Sequence, residues 1–297
     1  MLQQVIEQRR LDLGGFEVGR VLPHRARQMV GPFIFFDHFG PARFERGVAR
    51  SVDVRPHPHI GLSTVTYLFK GEVMHRDSVG SEQAIRPGEV NWMVAGRGIT
   101  HSERFEKGRA EGGPMHGIQA WVALPREHEE TAPGFANYSS DQLPTHEEGG
   151  VWMRLIAGEV DGLRAGAKTH SPMFYAHLRL ARGASISLPS RYSERAVFVV
   201  SGTVAVDEDQ SIGGQMMVFA PRSDAVVFAQ SDAVLMMLGG EPVGERFIEW
   251  NFVSSSRQRI EQAKEDWRAG RMKLPDLDHD EFIPLPPDPP AAAGPMS

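Results

Sequence analysis

The sequence predicts an all-β protein of two similar antiparallel barrels, followed by one short helix. Three observations support this fold class. Glycine and proline, 31 and 21 residues of the chain, divide residues 16–252 into short segments. Many of these segments are rich in β-branched and aromatic residues, as strands are. The pattern of segments and turns repeats once, and a helical period appears beyond Phe252.

The clearest strand candidates are apolar segments that end at glycine, proline or polar turn residues. In chain order they read STVTYLF, EVNWMVA, GIQAWVALP, VWMRLIAGEV, MFYAHLRLA, AVFVVSGTVAV, QMMVFAP, AVVFAQ and AVLMMLGG. Short strands at this spacing favour antiparallel sheets closed into barrels or sandwiches.

The two halves of the chain share one internal pattern. YLFKGEV followed by IRPGEVNWMVAGRG in the first half parallels FVVSGTVAV followed by IGGQMMVFAPRS in the second. The period is much longer than a solenoid repeat, so a duplicated barrel is the better interpretation. The polar, acidic stretch from Glu127 to Gly149 is predicted to cross between them. We predict a first barrel at 1–140, a second at 141–253, and a helix with a proline-rich tail at 254–297.

The segment SSSRQRIEQAKEDWRAGR predicts the helix. Its serines, at 254–256, are good N-cap residues, and Ile260, Ala263 and Trp267 recur at i, i+3 and i+7. Gly270 suits the helix C-terminus. The final PLPPDPPAAAGPMS is predicted to form neither helix nor strand, because of its proline density.

The composition excludes several classes of function. The chain has no cysteine, so disulfides and thiolate metal ligands are absent. The net charge of −6 argues against non-specific nucleic-acid binding, which depends on neutralising phosphates. No apolar run is long enough to cross a bilayer, and the first residues lack a signal-peptide core. The expectation is a cytoplasmic protein with no direct nucleic-acid or membrane partner.

Two pairs of polar residues predict a metal site. His57 and His59 stand two residues apart in RPHPHIG, and His101 and Glu103 stand two apart in GITHSER. Side chains at i and i+2 of a strand lie on the same face. Two such pairs on strands of one barrel can converge as three imidazoles and a carboxylate, a set that suits a divalent first-row metal. Solvated strand positions would give no reason for the repeated spacing.

Other polar residues have weaker patterns. His75 and Asp77 share the two-residue spacing but follow a turn, which predicts a structural or rim position. The adjacent Asp37 and His38 are predicted to form hydrogen bonds in a loop, or to contact the pocket mouth. Gln119 either lines the pocket or forms a buried hydrogen bond.

The second half of the chain lacks an equivalent set of ligands. His170 and His177 precede its glycine turn and do not have the two-residue spacing. The second barrel is therefore predicted to be metal-free and filled by side chains. The methionine pairs at 216–217 and 236–237 are candidates for this filling.

These motifs resemble the two metal motifs of the cupin superfamily, and within it those of the pirin family. The stretches that carry the resemblance are VGPFIFFDHFGP, RPHPHIGLSTVTYLFKGEVMHRDS, RPGEVNWMVAGRGITHSER, GIQAWVALP, FVSSSRQRIEQAKEDW and EFIPLP. The resemblance implies a bicupin with one divalent metal in its N-terminal barrel, held by His57, His59, His101 and Glu103. Iron is the first expectation, with manganese, nickel, copper and zinc as alternatives.

One position departs from the pattern. Many cupins have a glutamate a few residues after the paired histidines, where this chain has Ser63 in GLST. Glu103 is then the only carboxylate that the motif carries.

The resemblance implies two classes of function. Some pirins are similar in activity to quercetinases, which open a flavonol ring with dioxygen. In such an enzyme Glu103 would be the catalytic base for a small aromatic substrate. The alternative is a metal-binding regulatory protein that acts through protein partners. An open, apolar pocket above the metal would favour catalysis, and a closed one would favour regulation.

Overall fold

A computed structural model describes residues 1–12 and 17–287 of the chain. The first 138 residues supply twelve strands. They are β1 (Leu2–Glu7), β2 (Arg9–Asp12), β3 (Glu17–Leu22), β4 (Phe33–Phe44), β5 (Val54–His59), β6 (Leu62–Lys70), β7 (Val73–Asp77), β8 (Glu82–Ile85), β9 (Val90–Val94), β10 (Ile99–Arg104), β11 (Gly113–Ala123) and β12 (Gly134–Tyr138).

The remainder of the described chain supplies the other strands. They are β13 (Thr145–Glu148), β14 (Val151–Val160), β15 (Leu163–Arg164), β16 (Met173–Leu180), β17 (Ser185–Ser187), β18 (Glu194–Ser201), β19 (Thr203–Val206), β20 (Asp209–Ile212), β21 (Gln215–Phe219), β22 (Val226–Ala229), β23 (Ala233–Gly240), β24 (Phe247–Glu249) and β25 (Phe252–Ser254). Two α-helices, α1 (Glu106–Glu111) and α2 (Arg257–Arg268), and two 3₁₀ turns, Arg50–Val52 and Arg126–His128, complete the elements.

Each half of the chain builds one large and one small antiparallel sheet, which confirms the predicted fold class. In the first half the large sheet has the order β12-β9-β6-β11-β4-β3-β2 and the small one β5-β10-β7-β8. In the second half the large sheet runs β1-β21-β18-β23-β16-β14-β13, with β15 beside β14, and the small one runs β17-β22-β19-β20. Strands β24 and β25 form a separate hairpin.

The internal repeat is visible in the turns. Gly71 ends β6 with a φ of +92° and leads the chain into the small sheet, and Gly202 does the same after β18 with a φ of +87°. Glycine adopts this left-handed backbone without the steric cost that other residues pay. The segment AVFVVSGTVAV is therefore two strands, β18 and β19, rather than one.

The polar crossing between the halves contains two strands that the sequence did not indicate. β12 pairs with β9 at one end of the first large sheet, and β13 pairs with β14 at one end of the second. All four residues of β13 are exposed. Edge strands of this kind need no buried face, so their sequences lack the apolar alternation of a central strand.

The first strand lies in the sheet of the other half. β1 pairs with β21, where Val5 lies opposite Met217, so residues 2–7 do not belong to the first barrel as the 1–140 prediction had it. β1 covers an edge that β21 would otherwise expose, and Ile6 is buried in the core. The other domain limits remain predictions.

The largest apolar cluster lies between the two large sheets. Tyr67 and Ile118 of the first half and Tyr175 and Phe198 of the second half are all buried in it. The methionines divide between this cluster and a second one within the second barrel: Met216 and Met236 belong to the first, and Met217 and Met237 to the second. The prediction that all four fill the second barrel is thus correct for two of them.

The C-terminal helix begins where the serines predicted. The Ser256 hydroxyl accepts a hydrogen bond from the amide of Arg259, and Gly270 follows the helix with a φ of +66°. Ile260, Ala263 and Trp267 are buried in one cluster with Ile60, the residue after β5, and Phe252 of β25. In the part of the chain that the structure describes, no helix combines the length and apolar character needed to cross a membrane.

One further helix was not indicated by the sequence, whereas the described start of the tail agrees with its prediction. The helix α1 was not predicted, because its six residues are too few to show a helical period. Leu285, in the proline-rich tail, packs against the Ile260 and Trp267 cluster, and residues 281–287 form neither helix nor strand. Residues 288–297 of the tail prediction lie outside the described residues.

Buried imidazoles between the barrels predict acid sensitivity. Burial, together with the neighbouring His116, lowers the pKa of His38 to about 4. Between about pH 6.5 and 4 His38 is protonated in the unfolded chain but stays neutral in the folded protein. The free energy of unfolding therefore falls as the pH falls. We expect this difference in the protonation of His38 to lower the free energy of unfolding by up to about 3 kcal/mol. Chemical denaturation across this range should show a shallower pH slope for His38→Gln, and an unchanged slope for the exposed control His146→Gln.

Candidate metal centre

The strand β5 presents His57 and His59, and its prolines explain how it does so. Pro56 and Pro58 alternate with the histidines, favour extended backbone, and have no amide N–H to donate. β5 lies at the edge of its small sheet, where a missing donor is tolerated. The two imidazoles therefore point to the same side of the strand, into the barrel.

The strand β10 brings His101 beside this pair. β10 is the neighbour of β5, and His101 lies directly opposite His57 in the ladder. The three imidazoles are buried, and each offers a nitrogen within 4.8 Å of the others. Their ring centroids are separated by 4.4 to 5.1 Å. The structure thus brings together the three histidines that the spacing predicted.

The environment holds these imidazoles in their neutral, ligating form. Burial is the main cause for all three: it lowers the pKa of His57 to about 4, and those of His59 and His101 well below the usual value. The neighbouring imidazoles lower the pKa of His101 further, because three adjacent positive charges would repel one another. Neutral imidazole is the form that binds a metal.

Several ring nitrogens point to no protein partner. His57 donates from Nδ1 to the carbonyl of Arg55 at 2.8 Å, which leaves the lone pair on its Nε2. The Nε2 of His101 and the Nδ1 of His59 are buried without a hydrogen-bond partner among the described residues. Buried polar atoms without partners are uncommon in folded proteins, and a metal ion is one of the groups that accounts for them.

A chain of hydrogen bonds fixes the orientation of His101. Asp77 accepts from the amides of Val79 and Ser81, and its other oxygen lies 2.9 Å from Nε2 of His75. The Nδ1 of His75 lies 3.2 Å from the Nδ1 of His101. Burial opposes ionisation of Asp77, but the hydrogen bonds from His75 and Ser81 outweigh it and lower its pKa.

The hydrogen bonds from Asp77 through His75 also select the tautomer of His101. Asp77 accepts the Nε2–H of His75, which leaves the Nδ1 of His75 to accept a hydrogen bond. His101 then donates from Nδ1, and its Nε2 carries the free lone pair. Of the structural or rim position predicted for His75 and Asp77, the structural alternative is correct and the rim is wrong, since both residues are buried and His75 contacts His101. Their spacing was a usable signal, but the order of the strands was not visible in the sequence.

Glu103 lies in the same cavity as the triad but is less closely grouped with it. Its carboxylate is not within the 4.8 Å group formed by the three histidines, and a β-bulge separates it from His101. The hydroxyl of Thr66 lies 3.5 Å from Glu103 and donates to Gln119 at 2.8 Å. Burial raises the pKa of Glu103 to about 7, and the Thr66 hydroxyl opposes this rise. Gln119 therefore lines the cavity, as one alternative predicted, and it accepts a hydrogen bond as a half-buried rather than a buried residue.

An open cavity of about 550 Å³ lies over the three histidines. Phe35 and Trp121 stack on each other in its wall at 4.0 Å, and His59 contacts the edge of Trp121. Most of the remaining wall is apolar, with Val18, Phe39, Val54, Val73, Phe105 and Ile248 among the lining residues. Glu103, Thr66 and Gln119 are among its few polar lining residues, and a mostly apolar wall with a few polar groups suits a small organic molecule.

The end of the chain completes the cavity wall. Trp250, Asn251 and Ile283 all line it, although they are more than 140 residues from His101 in sequence. Arg104, on the ligand strand β10, forms a two-point ion pair with Asp278 at 2.7 and 2.8 Å. This pair anchors the segment that carries Ile283, and no sequence pattern indicated it.

The loop predicted for Asp37 and His38 is wrong, whereas the alternative of contact with the pocket is correct for Asp37. Asp37 and His38 are in the middle of the strand β4 rather than in a loop, so they face opposite sides of the sheet. Asp37 lines the cavity and forms a two-point ion pair with Arg20, while His38 contacts His116 between the barrels. Ser63 is buried on the face that β6 turns away from the cavity, as strand alternation with Thr66 requires.

Comparison with known proteins is consistent across sequence and structure. Two family models match, the one described as Pirin over residues 15–122 and the Pirin C-terminal cupin domain over residues 175–273. A pirin-like protein of Caulobacter vibrioides is 60% identical and covers 96% of this chain and 100% of its own length. A Pseudomonas aeruginosa protein named as a candidate quercetin 2,3-dioxygenase is 36% identical, over 89% of this chain and 83% of its own length.

A solved structure agrees with these matches. The crystal structure of a quercetin 2,3-dioxygenase from Acinetobacter baumannii superposes with a TM-score of 0.86 at 30% identity and covers 97% of both chains. The family models, the relatives and this superposition agree with the cupin-like fold of the chain. The chain therefore belongs to the pirin family of the cupin superfamily.

Proposed function

We propose that the chain is a metal-dependent dioxygenase that acts on a flavonol or a similar small aromatic enediol. The observation that carries this proposal is the open, apolar cavity of about 550 Å³ directly over the histidine triad, with Glu103 in its wall. The similarity to a solved quercetin 2,3-dioxygenase at 30% identity supports the same class of substrate.

The donor set fits a divalent first-row metal. Three neutral imidazoles, two of them with buried nitrogens that lack partners, surround one point, and a carboxylate lies in the same cavity. In this proposal His57, His59 and His101 hold the ion, and Glu103 is the fourth ligand. Such an ion would lower the pKa of a bound substrate hydroxyl and provide a place for dioxygen to react. Iron is the expected metal, and manganese, nickel, copper or zinc suit the same ligands.

Glu103 is suited to remove a proton from the substrate. Its pKa of about 7 is close to the value at which a general base is most effective at neutral pH. In our proposal the carboxylate accepts the proton of the substrate hydroxyl, and the Thr66 hydroxyl lies 3.5 Å from it. Phe35 and Trp121 bind the flat ring and exclude water from it.

The cavity also bears on the regulatory alternative. A metal-binding regulator that acts through protein partners does not require an apolar cavity above its metal. For such a regulator we expected a closed site. The open cavity therefore favours the enzyme.

We expect one metal ion per chain. The ligands stand in the first half, whereas His170 lies beside His128 and His177 lies beside Tyr67, so these two do not meet. Elemental analysis of protein produced without added metal, then reloaded and desalted, should give one equivalent. Two equivalents, with the second lost on substitution of His170 or His177, would contradict this count.

Oxygen uptake tests the proposed activity. The protein, loaded separately with iron, manganese, nickel and copper, should consume dioxygen in the presence of a member of a flavonol and catechol panel. The metal-free protein is the control and should consume none. The absence of uptake with every metal and every panel member would refute the dioxygenase proposal.

A further inference from the structure

A second cavity lies between the two barrels, on the other side of β6 from the metal centre. It has a volume of about 640 Å³ and is lined by residues of both halves. Tyr67 of β6 lines this inter-barrel cleft, whereas its neighbour Thr66 lines the metal-site cavity. The sheet of the first barrel therefore separates two cavities with different linings.

The inter-barrel cleft is positively charged. Lys70, Arg154 and Arg179 line it, and none of its lining residues is an aspartate or glutamate. Arg154 and Arg179 stack on the Trp152 ring, with guanidinium carbons 5.1 and 4.1 Å from its centroid. Within the described residues no carboxylate forms an ion pair with any of these three cations, whereas other arginines, such as Arg20, Arg104 and Arg109, form such pairs. Half-buried Arg154 also has a buried Nε without a hydrogen bond.

His177, which lines the same cleft, has a buried ring nitrogen, Nε2, without a partner among the described residues. Its other ring nitrogen, Nδ1, lies 2.8 Å from the Tyr67 hydroxyl. Burial raises the pKa of Tyr67, and we assign the bond as one donated by the protonated hydroxyl to Nδ1. Burial, then the charges of Arg154 and Arg179, lower the pKa of His177 to about 3, so His177 is neutral. Its remaining proton is then on Nε2, which is buried and has no partner among the described residues. An unmatched buried donor is costly, and an oxyanion would satisfy it.

We infer that the inter-barrel cleft binds a small organic anion, whose carboxylate or phosphate accepts hydrogen bonds from Arg154 and from Nε2 of His177. The apolar part of the ligand lies against Phe69, Pro41 and Val234, which line the same cleft. Cationic donors and a neutral N–H beside apolar walls are the usual elements of such a site. This inference does not depend on the proposed dioxygenase activity, because it uses none of the metal ligands.

Calorimetric titration of the metal-free, full-length protein tests the inference. The probes are benzoate and phenyl phosphate, with benzyl alcohol as the uncharged control. We expect saturable binding of one anion per chain, weakened by added salt, and no binding of benzyl alcohol. Comparison of the two anions shows whether carboxylate or phosphate is preferred. Arg154→Gln should weaken binding by roughly tenfold or more, because it removes a charged hydrogen bond.

Two matched variants control for charge and for location. Arg182→Gln removes an equal charge from an exposed position outside the cleft and should change the dissociation constant by less than twofold. His101→Ala disrupts the metal centre and should leave anion binding unchanged. Loss of binding in His101→Ala would assign the anion to the metal-site cavity and overturn the inference.

A second measurement covers the case in which Arg154→Gln does not fold. The exposed Arg179→Gln should then weaken binding several-fold, and the ¹⁵N signal of His177 Nε2 in histidine-labelled protein should shift on saturation. His177→Gln identifies that signal by its disappearance. Failure of both anions to saturate at millimolar concentration, or saturation that leaves the His177 signal unmoved, would refute the site.

Discussion

Glu103→Gln is expected to lower the turnover of a flavonol by about 10²- to 10⁴-fold while the protein keeps most of its metal. Glutamine preserves the size of the side chain and one oxygen for coordination, but it cannot accept the substrate proton. The pKa of Glu103, about 7, makes it the group in the cavity best suited to that task. The measurement is kcat for flavonol consumption under air, normalised to metal content by elemental analysis.

The pH dependence gives this prediction a second readout. Flavonol bound to Glu103→Gln should not deprotonate at neutral pH, and its absorbance shift should recover in part as the pH rises. Glu111→Gln, an exposed change on the helix α1, is the control and should behave as the wild type. A Glu103→Gln protein that holds metal and turns over at the wild-type rate would show that Glu103 is not the base.

His101→Ala is expected to lose nearly all of its metal after dialysis, and the residues behind His101 should matter too. His75→Phe keeps an aromatic ring against Phe135 but removes the nitrogen that accepts from His101. Asp77→Asn removes the charge that orients His75. Loss of such outer hydrogen bonds typically costs 10- to 100-fold in metal affinity, and we expect that range for both variants. Competition with a chromophoric chelator measures each affinity.

The visible spectrum of bound cobalt distinguishes a loss of His101 orientation from general damage to the fold. Cobalt(II) bound to His75→Phe should give a visible spectrum different from that of the wild type, because the His101 ring is no longer fixed. His146→Phe changes an exposed histidine of the second half and should alter neither the affinity nor the spectrum. Wild-type affinity in both His75→Phe and Asp77→Asn would show that the hydrogen-bonded chain does not support the metal.

The fold was largely predictable because strand patterns are local. The segments around Tyr67 and Phe198 alternate or run apolar for the length of a strand, and glycines at 71 and 202 mark the turns. The partner of an edge strand was less predictable. Residues 145–148 are fully exposed and carry no apolar signal, and nothing within residues 2–7 indicates that they pair with residues 215–219.

The metal site was predictable only to the extent that spacing alone defines it. His57, His59 and His101 meet because i, i+2 pairs on neighbouring strands share a face. His75 has the same spacing from Asp77, but its role depends on β10 lying between β5 and β7 in the sheet. Sheet order is a non-local property, so no local pattern of residues encodes it. Ile283 reaches the cavity through the Arg104–Asp278 pair, which is non-local for the same reason.

The pairing of β1 with β21 has a consequence for synthesis on the ribosome. About 200 residues separate Glu7 from its ladder partner Gln215. At synthesis rates of roughly 5–20 residues per second, β1 waits on the order of 10–40 s for its partner to emerge. During that interval an amphipathic strand lacks its ladder partner. Chaperone contacts during synthesis should therefore concentrate at residues 2–7.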